Sequence, residues 1–357
     1  MIKDRVVVAM SGGVDSSVAA ALLKSRGYEV IGITMCFNLA AGNKRKSPCC
    51  SVESIGDAAR VAYKLGIRHY VLNMKKQLEE RVIKDFCKEY LSGRTPNPCV
   101  KCNQFLKFDL LLNKARSLDA GFLATGHYAR IENGLLKKAR DLKKDQSYFI
   151  YRIKPDQLKH ILFPLGEYTK DQVRRLARNY GLSVADKPGS QEICFLPGNN
   201  YREFLRSYAG VENKPGKVVD VQGNILGTHK GIPFYTIGQR EGLGIARGYP
   251  VYVIKLDCRN NRIIVGPKQD AFKSVFLVKD PHYLCGRIKK KVALKVKIRY
   301  NHAESPAEII PFKNKLMVRF RKPQFSITPG QSAVFYKGDQ VYGGGIIDKV
   351  EDKNVKE

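Results

Sequence analysis

The fold of the amino-terminal half of this chain is decided by the segment Arg5-Val6-Val7-Val8-Ala9-Met10-Ser11-Gly12-Gly13-Val14-Asp15-Ser16. Its first half is a continuous apolar run, which predicts a buried strand. Ser16 to Arg26 follow with the apolar spacing of a helix, which Gly27 ends. The apolar run from Val30 to Met35 predicts the next strand. A strand, a helix and a second strand in this order form one βαβ unit of a parallel sheet.

The alternation of apolar runs and amphipathic stretches continues to about Tyr208, which is typical of parallel strands joined by helices. Further helices are predicted at Val52–Leu65, Leu78–Leu91, Lys107–Leu118 and Thr169–Tyr180, and further strands at Tyr70–Leu72 and Phe122–Gly126. The predicted fold class of this part of the chain is therefore α/β.

After Tyr208 the chain changes to short β-rich runs separated by glycine, proline and asparagine. Runs with strand-like alternation include Val292–Tyr300, Lys315–Phe320 and Ser332–Tyr336. They predict a small antiparallel barrel or sandwich. We therefore expect three domains: an α/β domain at residues 1–207, a small central domain at 208–270 and a carboxy-terminal β-barrel at 271–357.

Composition limits the classes of protein to which the chain can belong. It has 357 residues, with 63 Lys and Arg against 33 Asp and Glu, and hence a formal net charge of +30. A field of this sign attracts polyanions, and 43% apolar residues exclude a disordered polycation. No run of about 18 apolar residues predicts a membrane span. Nine cysteines without a secretory leader argue against a disulfide scaffold. We expect a cytoplasmic protein with a nucleic-acid partner and no membrane partner.

The segment Ser11–Ser16 has the composition of an anion-binding loop between a strand and a helix. Gly12 and Gly13 permit a tight turn and close approach of the backbone to phosphate, and the two serines add hydroxyl donors. The amino terminus of the following helix contributes N–H groups and the positive end of its dipole. The segment differs from the Gly-Lys-Ser/Thr and Gly-x-Gly-x-x-Gly loops. The alternative is an ordinary glycine-rich turn in which Asp15 and Ser16 cap the helix.

This hexapeptide resembles the Ser-Gly-Gly-x-Asp-Ser loop of the ATP pyrophosphatase superfamily. The resemblance implies a parallel-sheet domain that uses ATP and Mg2+, releases pyrophosphate and transfers AMP to a carbonyl-type oxygen. By the same resemblance Met35 would lie against adenine and Gly126 would complete the pocket, although from its strand alone Met35 is a core residue. The residues that the resemblance assigns to ATP are Ala9, Met10, Ser11, Gly12, Gly13, Val14, Asp15, Ser16, Met35 and Gly126.

Three cysteines are candidate reactive residues. Cys99 and Cys102 form a Cys-x-x-Cys pair, and the two prolines just before it predict an exposed loop that is not helical. Cys194 lies far along the chain in the same predicted domain. Redox centres and half zinc sites share such a pair, but no second pair completes a zinc site. Four other cysteines are predicted to be buried and to pack as small hydrophobic residues: Cys36, Cys87, Cys258 and Cys285. No role is assigned to Cys49 and Cys50.

Several segments together resemble the tRNA-specific 2-thiouridylases, almost from end to end of the chain. They are Thr95-Pro96-Asn97-Pro98-Cys99, Gly126-His127-Tyr128, Lys144-Asp145-Gln146-Ser147-Tyr148, Ile193-Cys194-Phe195, Tyr235-Thr236-Ile237-Gly238-Gln239-Arg240 and Pro329-Gly330-Gln331. In that family ATP adenylates the C2 oxygen of the wobble uridine, and sulfur then replaces this oxygen. The resemblance implies that Cys102 is the nucleophile or resolving thiol and that Cys194 carries a persulfide. It leaves open whether the two form a disulfide, and whether a persulfide-bearing protein or inorganic sulfide is the sulfur donor.

One position departs from the family pattern, because Cys99 stands where many members have Asp. Cys99, Cys102 and Cys194 could then hold an iron–sulfur cluster through three irons and leave the fourth iron to bind hydrosulfide. The persulfide route and the cluster route both use Cys102 and Cys194, and the sequence does not choose between them.

The resemblance also implies a set of tRNA contacts. These are His127, Lys144, Asp145, Gln146, Arg299, Tyr300 and Gln331. The stretch from Cys285 to Tyr300 is basic and has no acidic residue, and Lys295, Lys297 and Arg299 would alternate to one face of a strand as a phosphate track. Solvated lysines on an edge strand and a hydrogen-bonded histidine beside the pocket are the alternatives.

Two other functions remain open from the sequence alone. The ATP loop could serve another acceptor, as in a tRNA lysidine or thiocytidine synthetase or an amidating ligase. Alternatively, the chain could be a nucleotide-regulated RNA-binding protein without catalysis. The sequence does not predict an oligomeric state.

Overall fold

The computed structural model describes residues 4–37, 52–189 and 193–351 of the chain. The chain divides into two compact units. The first consists of Met1–Ile83, Pro98–Asn200 and Asp339–Val341, and the second of Lys84–Asn97, Tyr201–Gly338 and Tyr342–Glu357. None of the helices in the described part has both the length and the apolar content that crossing a lipid bilayer requires.

The first unit contains a five-stranded sheet and a separate hairpin. Its strands are β1 (Arg5–Ala9), β2 (Glu29–Cys36), β3 (Arg68–Asn73), β4 (Phe122–Thr125), β5 (Ala129–Glu132), β6 (Leu135–Lys138) and β7 (Ile161–Leu162). The sheet has the order β3-β2-β1-β4-β7, and each neighbouring pair is parallel. The predicted α/β class is confirmed, because successive parallel strands on one side of β1 are joined through helices.

Helical segments separate or follow these strands along the chain, and two of them, Lys84–Leu91 and Tyr201–Ala209, belong to the second unit. The helices are α1 (Val14–Ser25), α2 (Val52–Lys64), α3 (Lys75–Leu78), α4 (Lys84–Leu91), α5 (Pro98–Cys102), α6 (Leu112–Arg116), α7 (Ser147–Ile150), α8 (Lys170–Asn179) and α9 (Tyr201–Ala209). Two π-helical segments, Glu79–Ile83 and Asn103–Leu111, connect α3 to α4 and α5 to α6.

The core of the first unit lies between the sheet and its helices. Val6 and Val8 of β1 are buried in one cluster with Val18 and Leu22 of α1 and with Val61 of α2. α1 is rich in alanine and leucine, which favour a helix, and nine of its side chains are buried. Burial of a valine or leucine side chain stabilises the fold by about 1.5–3 kcal/mol. α1 is therefore held rigidly against the sheet, directly after the glycine loop.

The predicted exposed loop around the cysteine pair is wrong, because Cys99 and Cys102 lie on α5. Pro98 is the first residue of this helix. A proline fits there, since the first helical residues have no intrahelical acceptor for their N–H groups and the fixed φ of proline suits a helix. The helical run continues to Arg116, so the predicted helix Lys107–Leu118 begins nine residues earlier than expected.

The second unit contains a small four-stranded sheet. Its strands are β8 (Gly216–Val219), β9 (Ile225–His229), β10 (Tyr252–Asp257) and β11 (Arg262–Gly266), in the order β10-β11-β8-β9. β8 and β11 are parallel, whereas the other two pairs are antiparallel. The strand β9 was not predicted, because Gly227 interrupts its short apolar run.

Six further strands, which belong to the second unit except for Gln340 and Val341, form an antiparallel barrel. They are β12 (Phe272–Tyr283), β13 (Val292–Lys297), β14 (Ser305–Phe312), β15 (Lys315–Phe325), β16 (Ser332–Lys337) and β17 (Gln340–Glu351). Their order is β12-β15-β14-β13-β16-β17, and β17 pairs back to β12, which closes the barrel. Phe276, Val296 and Phe335 are fully buried inside it. Of the predicted barrel or sandwich, the barrel is confirmed.

The predicted phosphate track on one strand face is wrong for Arg299. β13 ends at Lys297, and Arg299 lies in the turn that follows. Regular alternation stops where the strand stops, so Arg299 does not share a strand face with Lys295. Lys295 itself lies 3.8 Å from the Glu304 carboxylate.

Candidate active site

The loop between β1 and α1 is closed by its own hydrogen bonds. The Ser11 N–H donates to the Ser16 hydroxyl oxygen at 3.1 Å, and the Ser16 hydroxyl donates to the Gly13 carbonyl at 3.2 Å. Gly12 has a φ of +71°, and a Cβ atom there would overlap the backbone oxygen of Ser54. Glycine is therefore required at this position for both the turn and the close approach of α2.

This loop leaves the amino terminus of α1 open to an anion. Gly13 is the N-cap of α1, with φ −99° and ψ 163°, and it has no side chain that could occupy the N–H groups of the first turn. These groups and the positive end of the helix dipole attract phosphate. The geometry therefore agrees with the anion cradle predicted from Ser11–Ser16.

The end of β4 packs against this cradle. A Cβ atom on Gly126 would lie 2.7 Å from the Ser16 nitrogen and 2.8 Å from the Asp15 carbonyl carbon. Met35 lies near the end of β2, half-buried, and pairs with Leu72 of β3. Since the carboxyl ends of parallel strands meet at one edge, the structure brings Gly126 to the loop and Met35 to the same edge.

Two side chains that the sequence analysis did not assign hold the loop carboxylate. The ammonium of Lys170 lies 2.6 Å from Oδ1 and 2.8 Å from Oδ2 of Asp15. The Tyr128 hydroxyl donates to the same Oδ1 at 2.8 Å. Burial and the neighbouring Asp15 carboxylate both raise the pKa of Tyr128, so it remains a neutral donor. Lys170 is 155 residues from Asp15, and no local pattern links them.

His127 is an internal histidine. Its ring is buried beside Phe108 and Phe163, and its Nδ1 lies 2.7 Å from the Thr125 hydroxyl. Burial, and then the charge of Lys107, hold the pKa of His127 well below its usual value. The ring is therefore neutral near pH 7, as the hydrogen-bonded alternative expects.

The three residues of the segment Lys144–Gln146 have different environments. The Lys144 side chain is exposed. Asp145 is buried, and its carboxylate accepts hydrogen bonds from the Ala139 N–H at 2.9 Å and from the Ser147 hydroxyl at 2.7 Å. Gln146 accepts a hydrogen bond from the Tyr128 N–H at 3.0 Å. The side chain of Asp145 therefore orders this segment from within, whereas that of Lys144 can reach a partner.

The three candidate cysteines lie in the first unit. Cys102 is 9% exposed, and Cys99 and Cys194 are half-buried. Among the residues that the structure describes, no three His, Cys, Asp or Glu side chains are gathered closely enough to hold a metal ion. Cys99, Cys102 and Cys194 are therefore not gathered as a set of three metal ligands in the described part of this structure.

The remaining cysteines only partly match their prediction. Cys87 is buried, and burial raises its pKa to about 11, so it remains a thiol. Cys258 is exposed, so its prediction as a buried hydrophobe is wrong. It lies in the turn between β10 and β11, and its Sγ donates to the Ser92 carbonyl at 3.5 Å. Cys36 and Cys285 are half-buried, and Cys49 and Cys50 lie outside the described residues.

Three segments that carry the family resemblance meet in the second unit. The Gln331 side-chain amide donates to the Thr95 carbonyl at 2.9 Å and to the Pro96 carbonyl at 3.3 Å. The Thr95 N–H donates to the Pro329 carbonyl at 2.9 Å, and the Thr95 hydroxyl lies 3.3 Å from that of Thr236. These contacts fix the backbone of the Thr-Pro-Asn-Pro segment, so Gln331 has a structural partner within its own unit.

Arg299 also has internal partners. Its guanidinium donates to the Ile237 carbonyl at 3.1 Å, to the Ser326 hydroxyl at 2.9 Å and to the Thr328 hydroxyl. The neighbouring Tyr300 ring lies 5.3 Å from the Lys297 ammonium. Arg299 therefore joins the barrel to the Tyr235–Arg240 segment within the second unit.

The comparisons with known proteins cover nearly the whole chain. Family models match residues 4–198 (tRNA methyl transferase HUP domain), 202–267 (tRNA methyl transferase PRC-barrel domain) and 273–347 (aminomethyltransferase beta-barrel domain). The tRNA-specific 2-thiouridylase of Halothermothrix orenii is 52% identical over 96% of this chain and 99% of its own length. The chain belongs to the tRNA-specific 2-thiouridylase family. The resemblance predicted from the sequence is thereby confirmed.

Other 2-thiouridylases match equally broadly. One from Caldanaerobacter subterraneus subsp. tengcongensis is 50% identical over 98% of this chain and 99% of its own length. One from Carboxydothermus hydrogenoformans is 48% identical over 97% of this chain and 98% of its own length. A solved 4-thiouridine synthetase–RNA complex with bound ATP covers 52% of this chain and 43% of its own, with 17% identity and a TM-score of 0.36, which supports no inference.

Proposed function

We propose that this chain catalyses the ATP-dependent 2-thiolation of the wobble uridine in tRNA. The observation that carries the proposal is the loop Ser11–Ser16, whose backbone and helix terminus form an anion cradle in the same unit as Cys102 and Cys194. The whole-length relatives named as tRNA-specific 2-thiouridylases support it. The net charge of +30 suits a nucleic-acid substrate.

The domain descriptions and the names of the relatives suggest different reactions. Two of the matched domain descriptions refer to methyl transfer, whereas the relatives are named for thiolation. The loop favours thiolation, because a cradle for pyrophosphate serves adenylation. The candidate cysteines favour it as well, because a thiolate can carry sulfur.

ATP with Mg2+ would supply the activating group. The C2 oxygen of the uridine attacks the α-phosphorus, the bond from this phosphorus to the β-phosphate bridging oxygen breaks, and pyrophosphate leaves. We propose that residues Ala9–Ser16, with Met35 and Gly126 at the same edge of the sheet, bind the nucleotide. The adenylated oxygen is then a good leaving group.

The terminal sulfur of a Cys194 persulfide then attacks C2 and displaces AMP, which carries away the original oxygen. The Cys102 thiolate attacks Sγ of Cys194, so that the sulfur remains on the uridine as the thiocarbonyl and a Cys102–Cys194 disulfide forms. A dithiol reductant restores the two thiols. The persulfide sulfur comes from a persulfide-bearing protein or from inorganic sulfide with an oxidant.

We propose the persulfide route over the cluster route, because the described cysteines do not gather as three cluster ligands. Anaerobic purification followed by assays of iron and acid-labile sulfide tests this choice. An iron-free protein that thiolates tRNA supports the persulfide route. Activity that follows iron content and is lost with a chelator contradicts it.

We also propose that residues 1–207 form the catalytic domain, that 208–270 form a small central domain and that 271–357 form the domain that contacts tRNA. Exposed Lys144 is the side chain of its segment best placed to reach RNA. His127, Asp145, Arg299 and Gln331 have internal partners, so we propose that they order the backbone that faces the tRNA. Tyr300 and Gln146 are further proposed tRNA contacts.

Incubation with tRNA and α-phosphate-labelled ATP tests the proposed function. We expect AMP and pyrophosphate in equal amounts, and only when tRNA is present. Nucleoside analysis of the same tRNA should show one 2-thiouridine for each AMP when a sulfur donor is added. RNA binding without AMP formation would support a non-catalytic binding protein, and a different modified nucleoside would support another acceptor.

A further inference from the structure

The carboxylate of Asp15 is held from two sides by residues from distant parts of the first unit. The Lys170 ammonium contacts both of its oxygens, at 2.6 and 2.8 Å, and the Tyr128 hydroxyl donates to Oδ1 at 2.8 Å. Asp15 lies in the first turn of α1, next to the anion cradle. The orientation of this carboxylate beside the cradle is therefore fixed before a nucleotide binds.

The position of Lys170 is costly for a cation. Lys170 is the first residue of α8, whose amino terminus carries the positive end of the helix dipole. Its side chain is also 16% exposed, so most of it has left water. Both conditions disfavour an ammonium group, and the contact with Asp15 offsets them. The ion pair between Lys170 and Asp15 therefore has a function that outweighs the cost of placing a cation at this position.

The charge of Asp15 explains why the ion pair with Lys170 is needed. A carboxylate beside the cradle repels the phosphates of a nucleotide, because two like charges about 4 Å apart interact strongly even with the screening typical of a protein surface. Lys170 neutralises this carboxylate, and the hydroxyl of the buried Tyr128 fixes the orientation of the carboxylate by donating to its Oδ1. The Lys170 ammonium also lies 5.8 Å from the centre of the Tyr128 ring, which further confines it.

Both partners of Asp15 are anchored by side chains of one short segment, residues 141–146. The Lys170 N–H donates to the Asp141 carboxylate at 3.0 Å. The Tyr128 N–H donates to the Gln146 side chain at 3.0 Å, and the Gln146 N–H donates to the Tyr128 carbonyl at 2.8 Å. The Thr169 side chain caps α8 by accepting from the Gln172 N–H, which fixes the start of the helix.

We infer that Lys170 and Tyr128 are positioning residues for Asp15, and that they allow the loop to bind the phosphates of ATP. The inference rests on the proposed function, since it concerns the binding of the same nucleotide. It adds two residues from outside the glycine loop to the machinery that prepares adenylation.

Steady-state kinetics of tRNA-dependent AMP formation test the inference. Lys170→Met should raise KM for MgATP about tenfold or more and lower kcat by a smaller factor, because the lost ion pair with Asp15 prepares the loop for nucleotide binding. Lys170→Arg should recover most of this loss, since it keeps the charge, and Tyr128→Phe should raise KM several-fold. Arg178→Met is the matched control, because Arg178 lies on the same helix in an exposed ion pair with Asp186.

A double variant separates positioning from direct contact. In an Asp15→Asn background, Lys170→Met should change KM less than twofold, because Lys170 acts through Asp15. Equal losses in both backgrounds would overturn the positioning role and favour direct contact with the nucleotide. A KM within twofold of wild type for Lys170→Met, in a protein with the wild-type unfolding temperature, would overturn the inference alone. Failure of the wild-type protein to bind MgATP would overturn the proposed function as well.

Discussion

Substitution of Gly126 by alanine perturbs the contact between the end of β4 and the nucleotide loop. The added Cβ would lie 2.7 Å from the Ser16 nitrogen and 2.8 Å from the Asp15 carbonyl carbon, whereas ordinary contacts begin at 3.4 Å. The end of β4 and the loop must therefore separate by about 0.7 Å. Both contacts are with backbone, which cannot rotate away as a side chain would.

The expected effects follow from this displacement. Overpacking of a well-packed core costs about 1–3 kcal/mol of the free energy of unfolding. A misplacement of about 1 Å at a reactive site can cost about 100-fold in rate. We expect kcat/KM of MgATP for tRNA-dependent AMP formation to fall about 10-fold to 100-fold in Gly126→Ala, while tRNA affinity changes less than threefold. Kinetics on folded protein, checked by urea unfolding, measure both effects.

Gly121→Ala is the matched control. Gly121 lies at the other end of β4, is exposed, and no described heavy atom outside its chain neighbours comes within 4 Å of a Cβ built there. It should therefore retain wild-type kinetics and stability. Wild-type ATP kinetics in Gly126→Ala, together with a normal free energy of unfolding, would refute the reasoning that the end of β4 positions the loop.

Three further predictions concern residues away from this contact. Cys102→Ser and Cys194→Ser should each abolish 2-thiouridine formation while MgATP binding, measured by calorimetry, survives; normal product from either variant refutes the sulfur roles. The pKa of His127 is depressed in the folded protein, so only the unfolded state binds a proton at this residue as pH falls through about 6.5. Below that pH, His127 should therefore lower the free energy of unfolding by up to about 1.4 kcal/mol per pH unit. Urea unfolding of His127→Gln should show a shallower loss between pH 7.5 and 5.5, and an identical loss would contradict this. Arg299→Met should destabilise the second unit by about 3 kcal/mol through lost charge-assisted hydrogen bonds; unchanged thermal unfolding with weakened tRNA binding would show direct RNA contact instead.

The parts of the fold that could be predicted from the sequence are those fixed by local patterns. The apolar run at β1 and the amphipathic stretches after it define the parallel sheet. The hairpin of β5 and β6 was missed, although Asn133-Gly134, both with positive φ, is a strong signal for a two-residue hairpin turn. The structure of the cysteine segment was misjudged because proline disfavours a helix only after its first turn.

The candidate site divides in the same way. The glycine loop was predictable, because strand, turn and helix follow one another within about a dozen residues. The partners of Asp15 were not, because Tyr128 and Lys170 reach it only through the tertiary fold. Arg299 and Asp145 show the opposite limit: a motif can mark a residue without revealing that its side chain bonds within its own unit.

The central claim is that ATP activates the C2 oxygen of the uridine, and isotope transfer tests it most directly. A tRNA carrying 18O at C2 of the wobble uridine is incubated with the protein, MgATP and a persulfide donor, and the AMP is examined by mass spectrometry. The account predicts one 18O atom in each AMP formed and one sulfur at C2 of that uridine. AMP without 18O, formed alongside 2-thiouridine, would contradict it.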